Sequence, residues 1–491
     1  MTPREILDRL ESLGIEPSGI ADDSRQVRPG DVFLAYPGDL ADGRAYIADA
    51  LARGARAVVW QPGGDFVWNP AWAVPNFAAD ALRPLAGPLA HAIYAHPSEG
   101  MSLIAITGTN GKTTVSQCIG RVYPRPCAVI GTLGAGFPDE LTTTGFTTPE
   151  ATTLMRYLAD FRARKAAACA LEASSIGIEE GRMNGLRVDV AVFTNLTRDH
   201  LDYHGSMEAY AAAKEKLFLW PRLRTAVINL DDDFGVHLMR ETTAMRAIGY
   251  SAQPPRRDFP ALVRAENLVD TPFGQRFEIV LPNGRAMVDT ALVGRYNVSN
   301  LLACAAVLHD AGVMPAEIGR RLSELTPPPG RMERLGGVGE PLVVVDYAHT
   351  PDALANALGA LRPLADVRGG KLAVVFGCGG DRDKGKRPQM GGVAEAGADR
   401  VMVTSDNPRS ESPAEIIEAI LGGMVHAEVE PDRAQAIRRA IGEAADADVI
   451  LLAGKGHEDY QEVGGQRLPF SDMAEAQAAL NLRRQGTEVA A

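Results

Sequence analysis

The segment Ile104-Ala-Ile-Thr-Gly-Thr-Asn-Gly-Lys-Thr-Thr114 joins an apolar run to a glycine-bounded turn and then to a lysine and hydroxyl residues. Read as strand, turn and helix start, it is a phosphate cradle. Its backbone N–H groups face anionic oxygens, Lys112 reaches the outer phosphates of ATP, and the Thr113 hydroxyl can ligate Mg²⁺. Ile106 stands where the common GxxxxGK[ST] pattern has its first glycine, which leaves the compact form Gly108-Thr-Asn-Gly111-Lys-Thr. Glu172 follows the apolar run AAACAL and His200 follows VFTNLTRD, so each is placed to project from a strand end toward those phosphates. A second glycine cluster, Phe376-Gly-Cys-Gly-Gly380, suggests a dinucleotide fingerprint, but Arg382 occupies the last glycine of GxGxxG and argues against it.

The elements that must carry these residues alternate. From residue 102 apolar LIAIT, the turn, a helix with Val115, Cys118, Ile119 and Val122 on one face, and the strand AVIGT make a β-α-β unit. The series continues through DVAVFTNL and TAVINLDDD to a helix over 297–309, and TPPPGRMER at 326–334 interrupts it, since successive prolines exclude helix and central strand. A second alternating series follows: PLVVVDYAHT, a helix from about 351, KLAVVFGCGG, RVMVTSDNP and DVILLAGKG, each run ending in a polar turn of the kind that binds ligands at a parallel sheet's carboxyl edge. Ahead of both, DVFLAY and ARAVVW read as short strands, closed by AHPSEG. The expected organisation is α/β with three domains: 1–98, a central P-loop-type parallel-sheet ATPase domain at 99–327, and a Rossmann-like domain at 328–491.

At 491 residues the chain has ample length for separate cores. Its 46% apolar and 23% charged composition excludes global disorder and a disulfide-framed miniprotein. With 50 Lys and Arg against 62 Asp and Glu it has no basic excess for dedicated nucleic-acid binding. Five cysteines without a CxxC pair fit buried thiols in a reducing compartment, and the charged, helix-patterned N-terminus has no apolar core of a leader. No run is long enough to span a bilayer, so the expectation is a cytoplasmic chain, a monomer without membrane insertion.

The compact loop, Glu172-Ala-Ser-Ser175, Asn195-Leu-Thr-Arg-Asp-His-Leu-Asp-Tyr-His-Gly205 and the Lys214 helix together resemble the Mur ligases of peptidoglycan precursor synthesis. Gly294-Arg-Tyr-Asn-Val-Ser-Asn300, Gly330-Arg-Met-Glu333, Asp346-Tyr-Ala-His-Thr-Pro351, Asp406-Asn-Pro-Arg409 and Gly454-Lys-Gly-His-Glu458 extend the likeness over nearly the whole chain. The resemblance implies an N-terminal UDP-binding domain, a central ATPase and a C-terminal domain that receives an amino acid. It implies that ATP phosphorylates the D-Glu carboxylate of UDP-MurNAc-L-Ala-D-Glu and that the amine of a diamino acid attacks the acyl phosphate. It places Gly108, Thr109, Asn110, Gly111, Lys112, Thr113, Thr114, Asn297, Arg331 and Asp346 at ATP. Glu172 and His200 would coordinate Mg²⁺. Lys214, which spacing alone reads as an exposed helix lysine, matches the family lysine carried as N6-carboxylysine, a carbamate whose oxygens support a second Mg²⁺ or the phosphates. Ser24 matches a UDP contact, and Thr147, Thr148, Ser174 and Arg182 match positions that hold the muramoyl dipeptide. Asp39-Leu-Ala41 would touch the uracil through backbone, whereas Glu180 stands where relatives often have Gln and receives no role.

For the incoming amino acid, Arg387 and Asp406-Asn407-Pro408-Arg409 matter most. An arginine fork binds a carboxylate and repels an ammonium, which favours meso-2,6-diaminopimelate over L-lysine. In the family the arginine of that motif recognises meso-diaminopimelate, with Gly454 and Glu458 completing the pocket and Glu458 facing the distal ammonium. Folylpolyglutamate synthase shares the compact loop but not the DNPR or Asp23-Ser24-Arg25 segments, and a P-loop motor or switch would not need the second strand-end site.

Overall fold

Parallel strands buried on both faces read as continuous apolar runs, and these runs form the sheets. The computed structural model describes residues 1–38, 41–254, 262–271 and 274–490, with side chains through 485. It divides into two compact units: Met1–Val263 with Ala303–Val313, and Arg264–Leu302 with Met314–Ala491.

The first unit opens with the helix Pro3–Ser12, started by a capping box in which Thr2 and Glu5 exchange hydrogen bonds. A parallel four-stranded sheet follows, in the order Gly19–Ala21, Asp31–Ala35, Ala57–Trp60, Asn76–Ala78. The larger sheet of this unit runs parallel in the order Arg246–Ser251, Thr225–Asn229, Val190–Phe193, Ser102–Thr107, Ala168–Glu172, Cys127–Gly131. Two short antiparallel strands, Gly134–Phe137 and Glu140–Thr142, finish its edge. Ser102–Thr107 lies between Val190–Phe193 and Ala168–Glu172, so three polar turns leave the sheet side by side at one end. One buried cluster joins Ile6, Leu10 and Leu34 of the first sheet's layer to Leu103, Leu154 and Leu171 of the second, so both sheets share one core. Val115, Cys118, Ile119 and Val122 are all buried on the helix Lys112–Val122, as the pattern requires.

The second unit holds an antiparallel ladder absent from the strand-helix alternation, Val263–Thr271 with Gly274–Leu281 and Gly284–Thr290. The helix expected over 297–309 spans Arg295–Asp310. The sheet of this unit has the order Glu333–Gly336, Leu342–Asp346, Val449–Ala453, Leu372–Phe376, Arg400–Val403, Glu428–Val429. Only its first strand, which begins inside the proline segment, is antiparallel, and it sits at the edge where proline-bearing chain is tolerated. Helices Pro351–Arg368, Lys386–Gly397 and Pro413–Leu421 contribute to one buried cluster of this unit. Arg433–Glu443 and Asp472–Ala490 contribute to another. All five cysteines are buried free thiols, and no helix among the described residues is long and apolar enough to cross a membrane.

Candidate phosphate and acceptor sites

In the first unit the strand Ser102–Thr107 feeds a turn in which Gly108 has φ +146°, and an added Cβ there would collide with Thr194 Oγ1. Only glycine fits so close an approach of two loops. Asn195 clamps the turn, its carbonyl accepting from Thr109 N at 2.8 Å and its side-chain oxygen from Asn110 N at 2.9 Å. No side chain caps the helix Lys112–Val122 at Gly111, which leaves the helix's positive end open to an anion. Lys112 Nζ curls back onto Gly108 O at 2.8 Å and Thr109 O at 2.9 Å. The turn therefore fits an ATP phosphate: a cradle closed to side chains, an open helix end and a nearby cation.

Behind the turn Glu172 is fully buried, and four hydroxyl or amide groups donate to it: Thr113 Oγ1 at 3.0 Å, Ser116 Oγ at 3.4 Å, and Thr132 N and Oγ1 at 3.1 Å each. A carboxylate paired with a threonine hydroxyl is an oxygen donor set suited to Mg²⁺. His200 lies apart from that pair, half exposed at the start of the short helix Leu201–His204, with Asp199 at 3.5 Å. Among the described residues no three His, Cys, Asp or Glu side chains converge as a metal site.

Lys214 is where position and spacing disagree. It is 1% exposed rather than solvated, Nζ donates to Gly108 O at 3.1 Å, and the Tyr210 ring lies 4.2 Å away. Burial, and then the neighbouring Lys112, push this ammonium well below the ordinary lysine range. Tyr210 in turn reaches Thr109 Oγ1 at 3.1 Å, so the Lys214 helix packs directly on the turn.

The expected dipeptide residues gather on the other side of Glu172. Thr148 Oγ1 donates to Glu172 O at 2.7 Å and lies 2.9 Å from Ser174 Oγ, and Thr147 Oγ1 is 3.1 Å from Thr132 Oγ1. Arg182 donates to Thr148 O at 2.9 Å and to Glu180 at 2.7 Å, pairs with Glu150 at 3.2 Å and stacks on Phe146. Glu180 thus holds the arginine that the family motif singles out. Ser24 is buried at the head of the turn Ser24–Gln26, whereas Asp39 and Leu40 lie outside the described residues.

In the second unit Asn407, Arg409, Gly454 and Glu458 come together at strand ends. Asn407 Nδ2 donates to Glu458 Oε2 at 2.8 Å, and Lys455 Nζ reaches Asn407 Oδ1 at 3.0 Å and Glu458 Oε2 at 3.1 Å. A Cβ on Gly454 would strike Asp406 Oδ2 at 2.5 Å. Burial raises the Asp406 carboxyl above its usual range, against the pull of Arg433 and Lys455. Both expected arginines lean on one turn: Arg409 Nη1 donates to Gly380 O at 2.7 Å, and Arg387 Nη2 approaches Gly379 O at 3.4 Å. Glu411 grips Arg387 bidentately at 2.9 and 3.0 Å, and that pairing holds its own carboxyl down at about 2. Arg387 Nε is buried without a hydrogen-bond partner, a donor suited to a ligand carboxylate. Elsewhere in this unit Asn297 donates to Val293 O at 2.8 Å, Asp346 accepts from Met332 N at 2.9 Å, and Arg331 lies over the Tyr347 ring.

Thr132, Glu411 and Lys455 were not singled out from sequence. The first follows the strand Cys127–Gly131, and the last lies inside the quoted GKGHE segment, so a rule that inspects every strand-end polar residue would have found both.

An uncapped helix behind a glycine turn, with a buried carboxylate on its threonine, defines a phosphate-binding α/β protein. Comparison makes that class specific. Residues 16–86, 106–308 and 330–456 match the models "Mur ligase family, catalytic domain", "Mur ligase middle domain" and "Mur ligase, glutamate ligase domain". The chain belongs to the Mur ligase family. It is 49% identical over 480 residues, 94% of each chain, to UDP-N-acetylmuramoyl-L-alanyl-D-glutamate--2,6-diaminopimelate ligase of Janthinobacterium sp. (strain Marseille). It is 50% identical over 464 residues, 93% of this chain and 94% of the relative, to the Pseudomonas aeruginosa protein of the same name. A solved structure of a ligase of that name superposes with a TM-score of 0.69 at 35% identity, covering 95% of each chain.

Proposed function

We propose that this chain is the ATP-dependent ligase that adds meso-2,6-diaminopimelate to UDP-MurNAc-L-Ala-D-Glu in peptidoglycan precursor synthesis, releasing ADP and phosphate. The observation that carries the reading is the phosphate turn whose Thr113 donates to buried Glu172, in a chain about half identical over its length to ligases of that name. A carboxylate acylates an amine poorly. Its oxygen first takes the terminal phosphoryl group of ATP with loss of ADP. The amine then attacks the acyl carbon, loses a proton and expels phosphate.

Each residue has a part in this scheme. Lys112 neutralises charge on the outer phosphates. Thr113 and Glu172, with His200, would hold Mg²⁺, which offsets charge on the transferring phosphoryl group when bound. Lys214 is the residue to carry a carbamate: its buried amine is biased toward the neutral form, which attacks the carbon of CO₂, loses a proton and becomes an anion. Ser24 holds UDP, and Thr147, Thr148, Ser174 and Arg182 hold the muramoyl dipeptide. Arg387, Asp406, Asn407, Pro408, Arg409, Gly454 and Glu458 receive diaminopimelate. Lys455 already occupies one oxygen of Glu458, so a distal ammonium there shares the carboxylate with it. ATP roles for Asn297, Arg331 and Asp346, the limits 1–98, 99–327 and 328–491, cytoplasmic location and a monomeric state belong to the same reading.

ADP release with UDP-MurNAc-L-Ala-D-Glu and each candidate amino acid in turn tests it. Release that depends on both the nucleotide-sugar dipeptide and meso-diaminopimelate is expected. Release indifferent to either one sinks the assignment.

A further inference from the structure

Helix Ala151–Ala163 begins just after Thr147 and Thr148, and it grips the N-terminal sheet's segments at three places along its length. At its start Thr152 Oγ1 donates to Asp22 Oδ1 at 2.6 Å, while Tyr36 OH donates to Asp22 Oδ2 at 2.8 Å. Midway, Arg156 donates to Gln26 O at 2.9 Å, and near its end Arg162 donates to Ala95 O at 2.6 Å and Tyr94 O at 3.1 Å. Asp22 stands two residues before Ser24, and Thr148, four residues before Thr152, is bonded to the backbone of Glu172.

A chain of hydrogen bonds and short covalent spans therefore runs from the Ser24 turn through Asp22, Thr152 and Thr148 to the backbone of Glu172, whose carboxylate lies behind the phosphate turn. Apolar packing would join two layers equally well. A half-buried carboxylate that takes one hydroxyl on each oxygen also fixes direction and distance, at a cost in desolvation.

We infer that Asp22 is a positioning residue which, by accepting from Thr152, sets the span between the Ser24 turn and the Thr147–Thr148 segment, so that a nucleotide-sugar peptide held at both ends presents its carboxylate beside Glu172. This rests on the proposed function. It predicts that breaking the link leaves each end able to bind and spoils their joint use.

The test compares UDP, which occupies one end, with UDP-MurNAc-L-Ala-D-Glu, which spans both. Thr152→Val should lower kcat/KM for the nucleotide-sugar peptide about ten-fold while competitive inhibition by UDP shifts less than about two-fold. KM for ATP and for meso-diaminopimelate should hold, and Thr152→Ser should restore turnover. Asp22→Leu, which removes both acceptor oxygens, should show the same split, which guards against misfolding of a single variant. Unaltered kcat/KM in both variants, or UDP inhibition weakened in parallel with turnover, overturns the inference while leaving the ligase reading intact. A wild-type protein that does not turn over the nucleotide-sugar peptide defeats that reading, and this inference with it.

Discussion

Lys112 and Lys214 both donate to the carbonyl oxygen of Gly108, at 2.8 and 3.1 Å, and two ammonium groups on one acceptor repel each other. Lys214, the deeper of the pair, is pushed toward neutrality. The two residues should therefore fail differently when removed. Lys112→Ala should lower ADP release at least about 100-fold with the thermal midpoint little changed, because a partly buried cation that serves the phosphates does little for the fold. Lys214→Met should also abolish turnover, yet it replaces a poorly solvated amine by an apolar side chain of similar length and should not lower the thermal midpoint. The sign of its pH dependence follows. With Lys214 as the free amine, in protein kept free of CO₂, its depressed folded pKa costs the wild type stability as pH falls from the ordinary lysine value toward the folded one, so the variant should gain on wild type as pH decreases through that window. Calorimetry across pH measures this, and a variant that loses stability relative to wild type on acidification contradicts it. If the carbamate is required, small carboxylates at high concentration should partly rescue Lys214→Ala.

At the scale of elements, the second unit's strand ends are tied together by one buried ion pair. Arg433 and Asp472, both fully buried, meet at 2.7 and 2.6 Å, and Arg433 also donates to Ala453 O at 2.9 Å and approaches Ser405 O at 3.3 Å. The helices Arg433–Glu443 and Asp472–Ala490 are thereby fastened to the turns that carry Asp406 and Gly454. Asp472→Ala would strand a buried guanidinium and should cost about 3–5 kcal/mol in urea unfolding, with double replacement by apolar residues costing less. None of this pairing was legible in the sequence, because its partners are 39 residues apart and meet only through sheet order. The strands themselves were legible, since LIAIT, VVVD and VILLA are apolar on every residue that faces a helix layer. The ladder over 263–290 is not legible in this way because its first strand, with exposed Asn267 and Asp270, carries no such run. Thr113 is legible from its place after Gly-Lys in the compact loop, and Glu172 because it ends an apolar run. Glu411 is not marked in this way, because what makes it matter is Arg387, the neighbour that the fold supplies.

Over the whole molecule, three substrates are assigned to three groups of residues, with the acceptor group belonging to the second unit and the phosphate turn to the first. Such a division predicts kinetics that separate by substrate. The acceptor group contains two arginines in unlike states: Arg387 has both Nη atoms on Glu411, whereas Arg409 has a single backbone acceptor and Glu462 at a longer 3.4 Å. Arg409 is therefore the fork with donors to spare for a substrate carboxylate. The distal centre of meso-diaminopimelate carries both carboxylate and ammonium, while L-lysine offers the ammonium alone, so Arg409 should read the difference between them. Arg409→Ala should remove charge-assisted hydrogen bonds worth roughly 1.5–3 kcal/mol and raise KM for meso-diaminopimelate about ten-fold or more. KM for ATP and for UDP-MurNAc-L-Ala-D-Glu should change little, because neither is assigned to that group. Wild type should use L-lysine poorly, and the variant should lose its preference mainly by losing diaminopimelate rather than by gaining lysine, since Lys455 still sits beside Glu458 and opposes a bare ammonium. Steady-state kinetics that vary one substrate at a time, repeated with L-lysine, measure each of these. Equal use of both amino acids by wild type, or unchanged diaminopimelate kinetics in Arg409→Ala, would place the reading of the distal carboxylate elsewhere in the chain.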